Sequence, residues 1–223
     1  MSYELTRDRV EHYFDRTATK VWERLTSDAP VSRIRETVRK GRDQMRETLL
    51  SALPNDLNGV RVLDAGCGAG QMTHELALRG ADVTAVDISP SLVEIAEARL
   101  PNTLKQHVTY ASGDMLSNDL GSFDHVIAMD SLIYYTQADI RNALAKLGER
   151  TSGSVVFTVA PRTPLLMSMW YAGKVFPKSD RSPTMIPHGP SRLSKTVSDI
   201  GQLNDLGRVN SGFYISQALE FRP

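Results

Sequence analysis

An acid followed by three glycines at alternate positions is the first chemistry in this chain: Asp64, Gly66, Gly68 and Gly70 in VLDAGCGAG, residues 62–70. Glycine is demanded where φ is positive or where a ligand must approach the main chain. The stretch continues an apolar run and precedes QMTHELALRG, so it reads as strand, loop and helix start. In an open α/β sheet, that position exposes backbone amides and a helix N-terminus to a ligand. A Walker loop is excluded, because no Gly-Lys-Ser/Thr follows. The dinucleotide fingerprint places a glycine where this chain has Gln71. An acid ahead of the first glycine suits a ligand that carries its own cation, not a pyrophosphate.

The surrounding pattern predicts the elements that hold this loop. From about residue 60, strand-like and helix-like segments alternate, which predicts a parallel sheet flanked by helices. GVRVLDAG is the first predicted strand, and the helix after the loop closes at Gly80. ADVTAVDIS is the second strand, followed by a helix capped by Ser89 with Pro90 in its first turn. HVTYAS and FDHVIAMD are strands three and four, TQADIRNALAKLGERT a helix, and GSVVFTVA strand five. Residues 207–222 supply two last strands with a turn near Gly212, making seven. Between them, residues 161–195 break the rhythm as an insertion. Residues 1–53 are expected to form a helical arm ahead of a 54–223 domain. Val10, Phe14, Val21 and Leu25 share one stripe of it, and Ile34, Val38, Met45 and Leu49 another. Six basic residues stand against two acidic ones between Arg33 and Arg46. That side is either a solvated face or an arm offering positive charge to an anion across a cleft.

With 223 residues the chain is long enough to bury a sizeable core. Lys plus Arg equal Asp plus Glu at 26 each, so no global field draws nucleic acid. The single cysteine, Cys67, excludes an internal disulfide and reads as a small spacer in the loop. No apolar run reaches membrane-span length, and MSYELTRDRVEHYFDR lacks a signal core. A cytoplasmic protein is expected, with peripheral membrane contact left open. His12, His74, His107, His125 and His188 are scattered, and no cluster has metal-ligand spacing. His107 and His125 are expected in strands, and His188, in IPHGP, at a surface turn, with an axial bond to a substrate metal as its sharper reading.

The Asp64-x-Gly66-x-Gly68-x-Gly70 segment resembles the first motif of the class I S-adenosylmethionine-dependent methyltransferases. That resemblance implies a Rossmann-like sandwich, a seven-stranded mostly parallel sheet with helices on both faces. It also implies that Asp87 accepts the ribose hydroxyls, with Ile88 packing on adenine. Asp114 and Met115, in SGDM, correspond to the clamp on the adenine amino group and ring. Cys67 and Met129 fall within the same implied cofactor site, and Asp130 either faces the cofactor or caps its loop. Arg42 and Arg46, one turn apart, are placed to reach the cofactor's carboxylate.

HYFDRTATKVWERL, VSRIRETVRKGRDQM, MDSLIYY and GKVFPKSDRSP together resemble the magnesium-protoporphyrin IX O-methyltransferase family. The resemblance covers essentially the whole chain and implies esterification of one porphyrin propionate. It further implies a partner, the porphyrin-binding large subunit of magnesium chelatase. A flat macrocycle wants aromatic and apolar walls, for which Phe14, Trp22, Met167, Met169, Trp170 and Tyr171 are available. Its second propionate wants a cation, for which Arg35 and Arg39 stand on the arm beside Arg42 and Arg46. Tyr13 and Tyr134 are the candidates for orienting the reactive carboxylate. Relatives of the oxygenic branch carry His-Tyr where this chain has Tyr134-Tyr135, which favours orientation over proton abstraction.

Three other readings remain at this stage. One is a methyltransferase acting on a quinone-type phenol or another small acceptor. The others are a nicotinamide-dependent reductase and a non-catalytic porphyrin carrier.

Overall fold

The computed structural model describes residues 3–15, 26, 32–164, 166–168 and 183–223. Seven strands form one sheet: β1 Arg61–Ala65, β2 Asp82–Asp87, β3 Val108–Ser112, β4 Phe123–Ala128, β5 Thr151–Val159, β6 Gln202–Ser211 and β7 Tyr214–Arg222. Their order is β3-β2-β1-β4-β5-β7-β6. The first five strands run parallel, and β7 is antiparallel to both neighbours. The winding reverses between β1 and β4, which opens a crevice beyond their carboxyl ends.

Alternation along the strands feeds two cores. Leu63, Val126, Val155 and Phe157 face one layer, built on α5 (Gln137–Gly148) and α6 (Pro190–Val197). Val10 of α1 (Tyr3–Tyr13) joins that layer. Val62, Ile127 and Val156 face the other, covered by α2 (Arg33–Leu50), α3 (Gln71–Leu78) and α4 (Pro90–Arg99). The helix starts follow their sequence signals. Ser89 Oγ accepts the Leu92 N–H with Pro90 at the first helical position, and Thr136 with Asp139 forms a capping box on α5. Among the described residues no helix is long and apolar enough to cross a membrane.

Three expectations are corrected. The final hairpin begins at Gln202, not near 207, because β6 is an edge strand whose half-exposed residues need no apolar alternation. His107 lies in a 3₁₀ turn, Asn102–His107, just ahead of β3; His125 does lie in β4. In the second arm stripe, Met45 and Leu49 are fully buried, but Ile34 is 53% exposed, because the first turn of α2 projects past its support. Val21 and Leu25 of the first stripe lie outside the described residues.

Gly41 is where α2 meets the β6–β7 hairpin. A Cβ there would sit 2.7 Å from Tyr214 Cδ1 and 2.9 Å from Ser211 Cβ. Ser211 Oγ donates to the Thr37 carbonyl at 2.9 Å, locking helix and hairpin together. Gly41→Ala gains about 1 kcal/mol of helix propensity but suffers an overpacking cost of about 1–3 kcal/mol. The expected net result is a loss of about 1 kcal/mol in urea unfolding, since rigid neighbours on both sides leave little room to relax.

Candidate functional site

The loop from β1 to α3 is held by its neighbours before it holds anything else. Gly66 and Cys67 donate their N–H groups to the Val86 carbonyl at 2.8 and 3.0 Å. Gly68 donates to Asp87 Oδ2 at 2.8 Å, and Ser89 to Asp87 Oδ1 at 2.9 Å. Gly66 has φ 87°, and a Cβ on it would strike Ser131 at 2.7 Å. Gly68 has φ 53° with nothing within 4 Å of where its Cβ would stand, so its bare backbone faces open space.

Two carboxylates sit behind this loop. Asp64 is 1% exposed and takes a 2.5 Å hydrogen bond from Thr73 Oγ1. Burial, augmented by the charge of Asp87, pushes its carboxyl up to about 7 despite that donor. Burial also raises Asp87, which its three backbone donors partly oppose. Cys67 is buried beside both acids, and burial holds its thiol well above the usual range, as an inert spacer requires.

The opposite wall carries arginine. Arg42 Nη1 donates to Asp130 Oδ2, and Arg46 pairs with Asp43 at 2.6 Å. Asp130 has φ 57°, the one non-glycine residue in the left-handed region among those described. It faces the crevice and also ties its own loop, through its N–H to Thr158 Oγ1 at 2.7 Å. At the third corner, Asp114 accepts Tyr3 Oη at 2.7 Å and the Leu116 N–H at 2.9 Å, and Arg7 pairs with it at 3.3 Å. The Tyr3 ring stacks on Tyr135 at 4.9 Å, drawing α1 across the opening. Arg150 braces the adjoining loop by donating to the carbonyls of Met115 and Ser117 at 2.7 and 2.8 Å.

Together these groups enclose a cleft of about 1020 Å³, counting its open mouth. Asp64, Gly66, Cys67, Gly68, Asp87 and Ile88 line it, as do Asp114, Met115, Met129, Asp130, Arg42 and Arg46. Gly70 does not. It caps α3 from behind with φ 84°, its Cβ position 2.9 Å from Ala96 Cβ. Phe14 and Tyr134 reach the cleft, whereas Tyr13 packs edge-on against Phe14 away from the wall. Arg35 and Arg39 are off the wall as well. Arg35 lies two turns before Arg42, about 10 Å further along the axis, where α2 is exposed. Trp22, Trp170 and Tyr171 lie outside the described residues, as does Met169.

His188 is not at the surface. It is 5% exposed, its Nε2 lies 2.9 Å from the Tyr135 carbonyl, and its N–H donates to Ala160. Burial lowers its pKa, and it stands behind Tyr135 rather than on the cleft wall. Among the described residues no three His, Cys, Asp or Glu side chains gather as metal ligands. Sequence reasoning missed Tyr3 and Arg7. Their signal was present, since Tyr3, Arg7, Val10 and Phe14 follow four-three-four spacing along one side of a helix.

Comparison with known proteins gives this geometry its family. Residues 128–223 match the family described as magnesium-protoporphyrin IX methyltransferase C-terminus, and residues 62–151 match a methyltransferase domain. The magnesium-protoporphyrin O-methyltransferase of Rhodobacter capsulatus is 57% identical over 222 residues, spanning 99% of this chain and 98% of that protein. A crystal structure of magnesium protoporphyrin IX methyltransferase from Synechocystis PCC 6803 with bound S-adenosylhomocysteine aligns over 100% of both chains, at TM-score 0.83 and 27% identity. The likeness to a ubiquinone biosynthesis O-methyltransferase of Xanthomonas oryzae, 34% identical, spans only 53% of this chain and 50% of that protein. Likeness that runs through the arm and the last strands, and not the shared nucleoside-binding half alone, makes this chain a member of the magnesium-protoporphyrin O-methyltransferase family.

Proposed function

We propose that this chain methylates one propionate carboxylate of magnesium protoporphyrin IX from S-adenosylmethionine, forming the monomethyl ester and S-adenosylhomocysteine. The observation that carries the reading is the 57% identity extending over nearly all of both chains. The cofactor fits the residues present: bare backbone at Gly68, buried carboxylates short of a cation, and arginines across the cleft. When bound, S-adenosylmethionine supplies an electrophilic methyl carbon on a sulfonium centre.

The chain's own residues bind, orient and exclude water. Asp87 offers its carboxylate to the ribose hydroxyls, and Ile88, Asp114 and Met115 enclose the adenine. Asp64 sets negative charge under the ligand's positive centres, while Arg42 and Arg46 meet the amino-acid carboxylate. Cys67, Met129 and Asp130 complete that side. Tyr134, on the cleft wall, orients the reacting propionate, and Phe14 packs against the macrocycle. Residues 1–53 serve as the arm over this site, 54–223 as the methyltransferase domain, and 161–195 as a further cover. Trp22, Trp170 and Tyr171 are assigned to the walls of the macrocycle and Arg35 and Arg39 to its second propionate, with Tyr13 the second candidate for orienting the reacting carboxylate.

A propionate is already ionised at neutral pH, so alignment rather than proton removal is the work required. A phenol acceptor would call for a base. Among the described residues, no histidine or lysine lines the cleft, and its four aspartates are each engaged by protein donors. Asp64 is engaged by Thr73, Asp87 by Gly68 and Ser89, Asp114 by Tyr3 and Leu116, and Asp130 by Arg42 and Tyr214. That favours the carboxylate over the quinone-type alternative. The family resemblance also implies that porphyrin is received from the large subunit of magnesium chelatase; the enzyme is read as cytoplasmic from its sequence, with peripheral membrane contact left open. Purified protein with labelled S-adenosylmethionine is expected to esterify magnesium protoporphyrin IX and to leave a quinol untouched. Methylation of the quinol alone would overturn the acceptor, and no ester at all would favour a porphyrin carrier.

Two variants test the machinery. Tyr134→Phe is expected to lower turnover about tenfold, the worth of one orienting hydrogen bond, with S-adenosylhomocysteine affinity unchanged in calorimetry. Asp64 has a folded-state pKa of about 7, raised above its ordinary 3.8. The folded protein therefore binds the extra proton, and stability is lost as pH rises from about 4 to 7. Asp64→Asn is expected to match the parent at pH 4 and to exceed it by about 4 kcal/mol at pH 8 without ligand. It is also expected to weaken S-adenosylhomocysteine binding.

A further inference from the structure

We propose that Tyr214, acting through Asp130, is a positioning residue that aims Arg42 at the carboxylate of the cofactor's amino-acid tail. This rests on the reading of Arg42 as a cofactor-facing group. Tyr214 begins β7 and does not line the cleft, and its hydroxyl reaches the cofactor side through Asp130. Its hydroxyl donates to Asp130 Oδ1 at 3.0 Å and to Oδ2 at 3.3 Å. Thr158 Oγ1 donates to the same Oδ1 at 3.2 Å, and the Arg42 guanidinium takes Oδ2.

Asp130 is thus oriented from two strands of the sheet, β5 and β7, before it meets the arginine on α2. Its left-handed backbone adds a second constraint. An aspartate held at φ 57° is costly, and such strain persists only where surrounding structure enforces it. The approach of α2 is set by the same tyrosine, since the ring of Tyr214 fills the space a Cβ on Gly41 would take, one residue before Arg42. The ion pair is largely screened from water, with side-chain exposures of 17% for Arg42 and 12% for Asp130.

A planar guanidinium reads a carboxylate through a fixed fork of donors, so its direction matters more than its presence. With one edge held by an oriented Asp130, the remaining donors have a fixed direction. Without the phenol, Asp130 and Arg42 can rotate together, and the tail loses a preset partner.

The test compares two ligands on the full-length protein by calorimetry. S-Adenosylhomocysteine carries the amino-acid tail; 5′-methylthioadenosine is the same nucleoside thioether without it. Tyr214→Phe keeps the ring and removes one hydroxyl. It is expected to weaken S-adenosylhomocysteine about tenfold and to leave 5′-methylthioadenosine within about twofold. Arg42→Gln is expected to show the same selective loss, larger in size, and the double variant to be no weaker than Arg42→Gln alone. If Arg42→Gln is selective and Tyr214→Phe is not, the positioning role is overturned while the reading of Arg42 stands. Equal weakening of both ligands by Tyr214→Phe also overturns it, as a purely structural effect. If Arg42→Gln spares S-adenosylhomocysteine, the reading of Arg42 falls and the inference falls with it.

Discussion

Asp87 ties together the ends of three strands, through its buried carboxylate and its own carbonyl. One oxygen takes the Gly68 N–H from the loop after β1, and the other takes the Ser89 N–H that opens α4. The residue's own carbonyl takes the Gly113 N–H beyond β3. A buried carboxylate without donors is strongly disfavoured, so these bonds fix where the three segments meet. The loop that follows β1 can be bare backbone because its path is dictated from β2, by Val86 and Asp87, and not by side chains of its own.

That arrangement leaves charge unbalanced in a useful way. Asp64 and Asp87 lie buried at the tips of β1 and β2, and among the described residues no basic side chain hydrogen-bonds to either. Across the cleft, α2 presents Arg42 and Arg46, each joined to an acid. On the proposed reading, a ligand with a cationic centre and a carboxylate tail meets both walls with the right sign. The acceptor then needs no catalytic base, because a propionate arrives ionised. The proposed partners of that propionate and its macrocycle, Tyr134 and Phe14, both line the cleft and pack edge-on with ring centroids 6.3 Å apart.

Much of the fold was legible because strands such as β1, β4 and β5 carry their own apolar runs and helices such as α4 and α5 their own side-chain caps, at Ser89 and Thr136. The edge strand β6 was half hidden, since a strand exposed on one edge can begin in GQLND without apolar alternation. The tips of β1, β2 and β3 were legible as Asp64, Asp87 and Asp114, because acids at strand ends stand out from the runs before them. The partners of those acids were not. Tyr3, Arg7 and Tyr214 are brought in by tertiary packing across 84 to 111 residues of chain. Helical spacing puts Tyr3 and Arg7 on one face with Val10 and Phe14, but it does not name the acid that face meets. His188 misled for a related reason. Flanking prolines and a glycine suggest a surface turn, but the segment pairs with Ala160 and Pro161 and buries the ring against Tyr135.

Diffraction from crystals of the full chain grown with S-adenosylhomocysteine tests the central claim most directly. The account predicts nucleoside density in the crevice between β1 and β4, with both ribose hydroxyls on Asp87 and the thioether over Gly66 to Gly68. Density elsewhere on the protein, or a crevice left vacant at saturating ligand, would contradict it.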